Sequence, residues 1–131
     1  MNPRNQAKLW REIAAAGSAA VAKNGYVTAI DALLGTGWLR PEKVEDWRHG
    51  RVPYLEQVIV ASLPKISTAM RVFRSWAESA GLRPSETVYV SWARDRRRLR
   101  FSKSGNPDIE RAYRTHWLPP KPTANTNRGD D

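Results

Sequence analysis

From the N-terminus to Gly81, apolar residues return every third or fourth position, and the runs are separated by prolines, glycines and small polar residues. Asn2 ahead of Pro3 supplies a helix cap and a favoured first helical residue. Trp10, Ile13, Ala14, Gly17, Ala20 and Val21 follow at helical spacing as far as Asn24-Gly25, which predicts a helix from about Pro3 to Lys23 with Trp10 on its core face. Thr28 is placed to cap a second, shorter helix bearing Ile30, Leu33 and Leu34, which Gly35 or Gly37 would end in a left-handed conformation. Pro41 opens a third helix, with Val44 and Trp47 inward and Gly50 as its stop. Pro53 opens a fourth, along which Leu55, Ile59, Leu63, Ile66, Met70, Phe73, Ala77 and Ala80 hold the strongest periodicity in the chain. Pro64 interrupts that series, so a kink or two helices meeting near Leu63 is expected, with Gly81 as the end.

After Gly81 the period changes. Val88, Val90 and Trp92 alternate with polar residues, and Leu99 and Phe101 share a matching parity, which predicts a β-hairpin over residues 87–103 turning near Asp95. An all-helical version of this stretch is the alternative. Asn106-Pro107 then caps a last helix carrying Ile109, Ala112, Tyr113, His116 and Trp117. The expected fold is therefore mainly α: one small helical domain over residues 1–118, with a C-terminal β-hairpin and a final helix. Residues 119–131, PPKPTANTNRGDD, have no apolar period and are expected to form a mobile tail.

Composition narrows the function. The chain has 131 residues, enough for one domain with a real core, and six tryptophans to help build it. It has no cysteine and only two histidines, His49 and His116, far apart in sequence, so neither a disulfide framework nor a zinc site is expected, and no cofactor is implied. No stretch approaches the roughly 20 apolar residues of a membrane span, and the N-terminus lacks the apolar centre of a secretory signal, so a cytoplasmic location is expected. The formal net charge is +9, which favours a polyanionic partner.

That charge is unevenly placed. From Arg40 to Glu56, four basic and four acidic residues balance, whereas Lys65 to Lys103 holds ten basic residues against three acidic ones. Arg94, Arg96, Arg97, Arg98, Arg100 and Lys103 crowd the expected hairpin, interleaved with Trp92 and Phe101. Such a surface can follow a phosphate backbone while offering rings to bases; the bland reading is a solvated turn kept soluble by its arginines.

Residues 28–53 add a second pointer. Val44, Trp47, Gly50, Arg51 and Pro53, with Leu33 or Leu34 facing them, resemble the helix-turn-helix of the phage-repressor type over about a fifth of the chain. The resemblance implies that the N-terminal half of the third helix enters a DNA major groove, placing Arg40, Glu42, Lys43 and Glu45 near DNA, with Arg48 and Arg51 at its far end. Two core helices with ordinary glycine caps would give the same pattern.

Catalysis has less support. Asp108 and Glu110 beside His116 suggest a metal-dependent nuclease only if they converge on one point, yet two residues apart on a helix they point different ways, and the first helical turn already suits them. The tryptophans are expected to be mostly core, Trp38 acting as a staple onto the third helix; Trp92 and Trp117 lie nearest to arginines, but burial is expected for them too. The expected function is non-catalytic binding of nucleic acid, foremost double-stranded DNA, through Arg40, Lys43, Arg48, Arg51, Arg94, Arg96, Arg97, Arg98, Arg100 and Lys103. A homodimer is compatible with that role. The alternative is an adaptor or inhibitor that binds an acidic protein surface, or RNA within a larger assembly.

Overall fold

The computed structural model describes residues 1–121. The expected mobile tail therefore falls outside the described residues from 122 onward.

The chain is mainly helical: α1 (Pro3–Asn24), α2 (Ala29–Thr36), α3 (Pro41–Arg48), a 3-10 turn at Leu55–Val58, α4 (Leu63–Ser79) and α5 (Pro107–Arg114). Two four-residue strands, β1 (Arg83–Glu86) and β2 (Thr115–Leu118), pair antiparallel. The caps follow the sequence closely. Asn2 Oδ1 accepts from the Asn5 N–H at 2.9 Å, and Asn106 Oδ1 accepts from Asp108 and Ile109. Thr28 and Asp31 form a reciprocal capping box on α2. Gly37, Gly50 and Gly81 close their helices at φ of 81°, 77° and 77°, where a side chain would be strained.

Several expectations shift. Pro53 starts no α-helix; the segment after it makes one 3-10 turn, and α4 begins only at Leu63, with Ser62 capping and Pro64 in the first turn. The periodicity from Leu55 to Ala80 thus spans two elements, and Pro64 marks the start of the longer one instead of a kink, because its missing N–H is unneeded there. Along α1 the buried stripe is Leu9, Ile13, Gly17 and Ala20, so Trp10 lies one position off the core face and is 39% exposed. The expected last helix stops at Arg114, and His116 and Trp117 belong to β2. The two-stranded element itself joins segments with 28 residues between them, Glu86 facing Thr115, and not the two halves of residues 87–103.

β2 sits between two partners. Trp117 gives its N–H to the Val27 carbonyl and receives the Val27 N–H on its own carbonyl, at 2.9 and 3.0 Å. Its backbone polar groups thus face away from β1, so the residue opposite it there, Pro84, sits at a position needing no N–H. In the interior, α1 packs most extensively against α2 and then α4. Close approach explains the glycine on each side: a Cβ on Gly17 would lie 2.3 Å from the Trp76 ring, and one on Gly35 would lie 2.4 Å from the Ala16 Cβ. A second part of the same core is aromatic, with Trp47, Tyr89 and Phe101 in mutual contact at centroid separations of 4.9–5.8 Å and Tyr113 stacked on Phe101 at 5.3 Å.

Candidate functional site

The arginine-rich stretch forms an irregular hairpin. The Ser91 N–H donates to the Arg97 carbonyl at 2.8 Å and the Leu99 N–H to the Tyr89 carbonyl at 2.8 Å, with Val90 and Arg98 as a lone antiparallel bridge. The turn lies around Asp95 as expected, closed by an Arg96 N–H to Ala93 carbonyl bond. Arg96 has φ of 52°, a left-handed conformation that an L-residue with a long side chain adopts at a cost. Alternating burial anchors the base of this loop: Ser91, Leu99 and Phe101 are buried, while Arg94, Arg96, Arg97, Arg98, Arg100 and Lys103 are all exposed.

The carboxylates behind the loop hold it in place. Glu110, on α5, accepts from the Phe101 N–H, the Ser102 N–H and the Ser102 hydroxyl at 3.0, 2.6 and 2.5 Å. Glu56 accepts from the Lys103 N–H at 2.9 Å and from the Tyr113 hydroxyl at 2.8 Å. Burial, and then the neighbouring Glu56 and Glu110 carboxylates, push the Tyr113 phenol far up, so it stays a donor. These bonds give Glu110 a structural role beside Asp108, which pairs with Arg111 at 3.1 Å. Among the described residues no group of three or more His, Cys, Asp or Glu is placed to hold a metal ion.

Tertiary structure merges the two regions that were separate in sequence. The C-terminal end of α3 sits on the loop: the Arg48 carbonyl accepts from the Trp92 N–H at 2.7 Å, and the Gly50 carbonyl accepts from the Arg97 guanidinium at 3.0 Å. Trp47, fully buried, donates its indole N–H to the Arg100 carbonyl at 2.7 Å. Arg97 of the loop thus lies against the negative end of the helix, where a cation is electrostatically favoured.

The ten expected binding residues then fall into distinct groups. Arg40 pairs with Glu42 at 2.6 Å and Arg51 with Asp46 at 3.1 Å, so the charge balance of the helix-turn-helix-like unit is realised in direct contacts. Lys43 is exposed on α3, flanked by the equally exposed Glu42. In the loop, Arg97 binds Gly50 and lies 3.9 Å from Asp95, while Arg100 folds back onto the Ser102 and Lys103 carbonyls. Arg94, Arg96 and Arg98 make no side-chain hydrogen bond or ion pair among the described residues.

Arg48 is the residue whose setting sequence reasoning missed. Its guanidinium lies over Trp92 at 4.6 Å and over Tyr89 at 5.1 Å, and its Nε is buried without a hydrogen-bond partner. Burial lowers its pKa, and Tyr89 opposes that shift more weakly. Trp92 itself, expected to be buried, is 53% exposed, with His49 meeting it at a 5.3 Å centroid separation. Trp117 and Phe101 are buried as core residues. On the inner side, Tyr89 bonds to His116 Nε2 through its hydroxyl at 2.7 Å. Burial raises the Tyr89 phenol to about 12 and lowers His116, so a neutral phenol meets a neutral imidazole, and the imidazole tautomer sets which of the two donates. The signal for this cluster was the sequence W-R-H at 47–49 and W-A-R at 92–94; what was missing was the contact between them.

No helix among the described residues is long and apolar enough to cross a membrane. No protein-family model, curated protein or solved structure matches the chain, so the helix-turn-helix likeness rests on its residues alone.

Proposed function

We propose that this protein is a non-catalytic nucleic-acid-binding protein whose arginine loop, residues 92–98, contacts the phosphate backbone. The observation that carries the reading is the trio Arg94, Arg96 and Arg98, exposed at a turn, without a carboxylate partner, on a scaffold held by buried contacts at both ends. Cations whose only role is solubility do not need an ordered turn, and Arg96 holds its position at a conformational cost. Neutralising several phosphates releases condensed counterions, which supplies affinity without reading sequence. DNA is the polymer to test first. In this reading α3 supports the loop, because two of its unit's four cations are already paired.

The test is fluorescence anisotropy with labelled DNA over a series of salt concentrations. Replacing Arg94, Arg96 or Arg98 by Ala should weaken binding across all sequences, each reducing the slope of log affinity against log salt by about 1. Arg100→Ala should act mainly on stability, because its guanidinium binds its own loop. Wild-type protein that binds no nucleic acid even at low salt would refute the reading and direct attention to an acidic protein surface.

A further inference from the structure

The proposed interface carries one feature that phosphate contact alone does not require. Trp92 is 53% exposed at the foot of the arginine loop, although the fold has a large aromatic core in which an indole could be buried. Its backbone is fixed on both sides. The Trp92 N–H donates to the Arg48 carbonyl at 2.7 Å, and the preceding Ser91, fully buried, accepts the Ala93 N–H on its hydroxyl at 2.9 Å. The ring is braced as well, by the Arg48 guanidinium at 4.6 Å and by His49 at 5.3 Å. Arg48 is in turn backed by Tyr89, and Tyr89 by His116, so an ordered stack runs from the interior to an open indole.

Such a ring is prepared for a flat, polarisable aromatic partner, and the arginines beside it favour one attached to phosphate. A nucleobase in a duplex hides its faces against its neighbours, whereas an unpaired base presents a face that can lie on an indole. We infer that Trp92 is a stacking platform for an unpaired nucleobase, and that the chain's preferred ligand is single-stranded DNA whose backbone runs along Arg94, Arg96 and Arg98. This inference rests on the nucleic-acid reading above. The cation under the indole also strengthens the arrangement: Arg48 fixes the ring orientation before binding, so less freedom is lost when a base arrives.

Anisotropy of a labelled oligothymidylate and of a labelled duplex of equal length, at low salt, tests both levels separately. Wild-type protein should favour the single strand. Trp92→Ala should lose about tenfold in affinity for the single strand, and about twofold or less for the duplex, since one stacked base contributes on that order. Trp92→Phe, which keeps a ring, should retain most single-strand binding while losing the quenching of intrinsic tryptophan fluorescence that stacking on the indole produces. Circular dichroism of both variants checks the fold, and if the alanine variant is unfolded the quenching comparison decides. Equal single-strand affinity in folded Trp92→Ala, or unchanged quenching in Trp92→Phe, overturns the stacking role while leaving the arginine loop as a backbone-binding site. Failure of the wild-type protein to bind either polymer overturns the nucleic-acid reading itself.

Discussion

Arg96 sits in the left-handed region at φ of 52°, where glycine is at ease and arginine is not. Arg96→Gly is expected to stabilise the fold by up to about 1 kcal/mol while weakening DNA binding severalfold, so urea unfolding and anisotropy should move in opposite directions. If both fell together, the turn would depend on the arginine side chain. At Gly17 the conflict is steric. An added methyl would meet the Trp76 ring at 2.3 Å, so Gly17→Ala should cost about 1–3 kcal/mol despite a gain in helix propensity of about 1 kcal/mol, and thermal unfolding would show it. Neither effect can be seen in the sequence, where Gly17 reads as one more small residue on an apolar stripe and Arg96 as one more charge.

At the scale of elements, the helices were legible because their signals are local. Asn2, Thr28 and Asn106 cap the residues immediately after them, and each does so in the structure. Strand pairing is not local: β1 and β2 meet across 28 residues, and four-residue strands carry too short an alternation to stand out. The arginine loop belongs to the same lesson. Its shape depends on Glu56, 47 residues upstream of its partner Lys103, and on Glu110 from the next helix, whose carboxylate reads in sequence as an ordinary first-turn residue. Removing that carboxylate would leave the buried Ser102 N–H and hydroxyl without an acceptor. Glu110→Ala is therefore expected to destabilise the protein by about 2–3 kcal/mol in urea titrations, with Glu110→Gln intermediate. DNA affinity should fall with the loop's order, while the salt slope stays near the wild-type value because no cation is lost.

For the whole molecule, the half-buried His116 ties stability to pH. Burial is the larger influence and holds its pKa below the ordinary 6.5; Asp31 opposes it more weakly. The unfolded chain thus binds a proton before the native one does, and stability is complete above the unfolded value and declines as pH falls from there toward the native pKa. The urea midpoint should drop as pH falls below the ordinary 6.5 of the unfolded imidazole, and the drop should shrink in His116→Gln. An identical pH dependence in that variant would exclude His116 as its source. Since His116 backs Tyr89, which backs Arg48 and Trp92, acidification is also expected to loosen the indole before the fold is lost. Time-resolved tryptophan anisotropy of wild type against Trp92→Phe would report that loosening.

What the sequence determined by itself was the helical character, the caps, the glycine stops and the concentration of positive charge between Arg94 and Lys103, because each depends on neighbours within a few residues. Tertiary structure alone decided that Arg48 lies beneath Trp92, and that Trp92 faces solvent while Trp117 does not. Those outcomes depend on contacts between segments forty or more residues apart, such as Arg48 with Trp92. Such contacts are set by how the faces of the helices fill one shared core, and no local period in the chain encodes them.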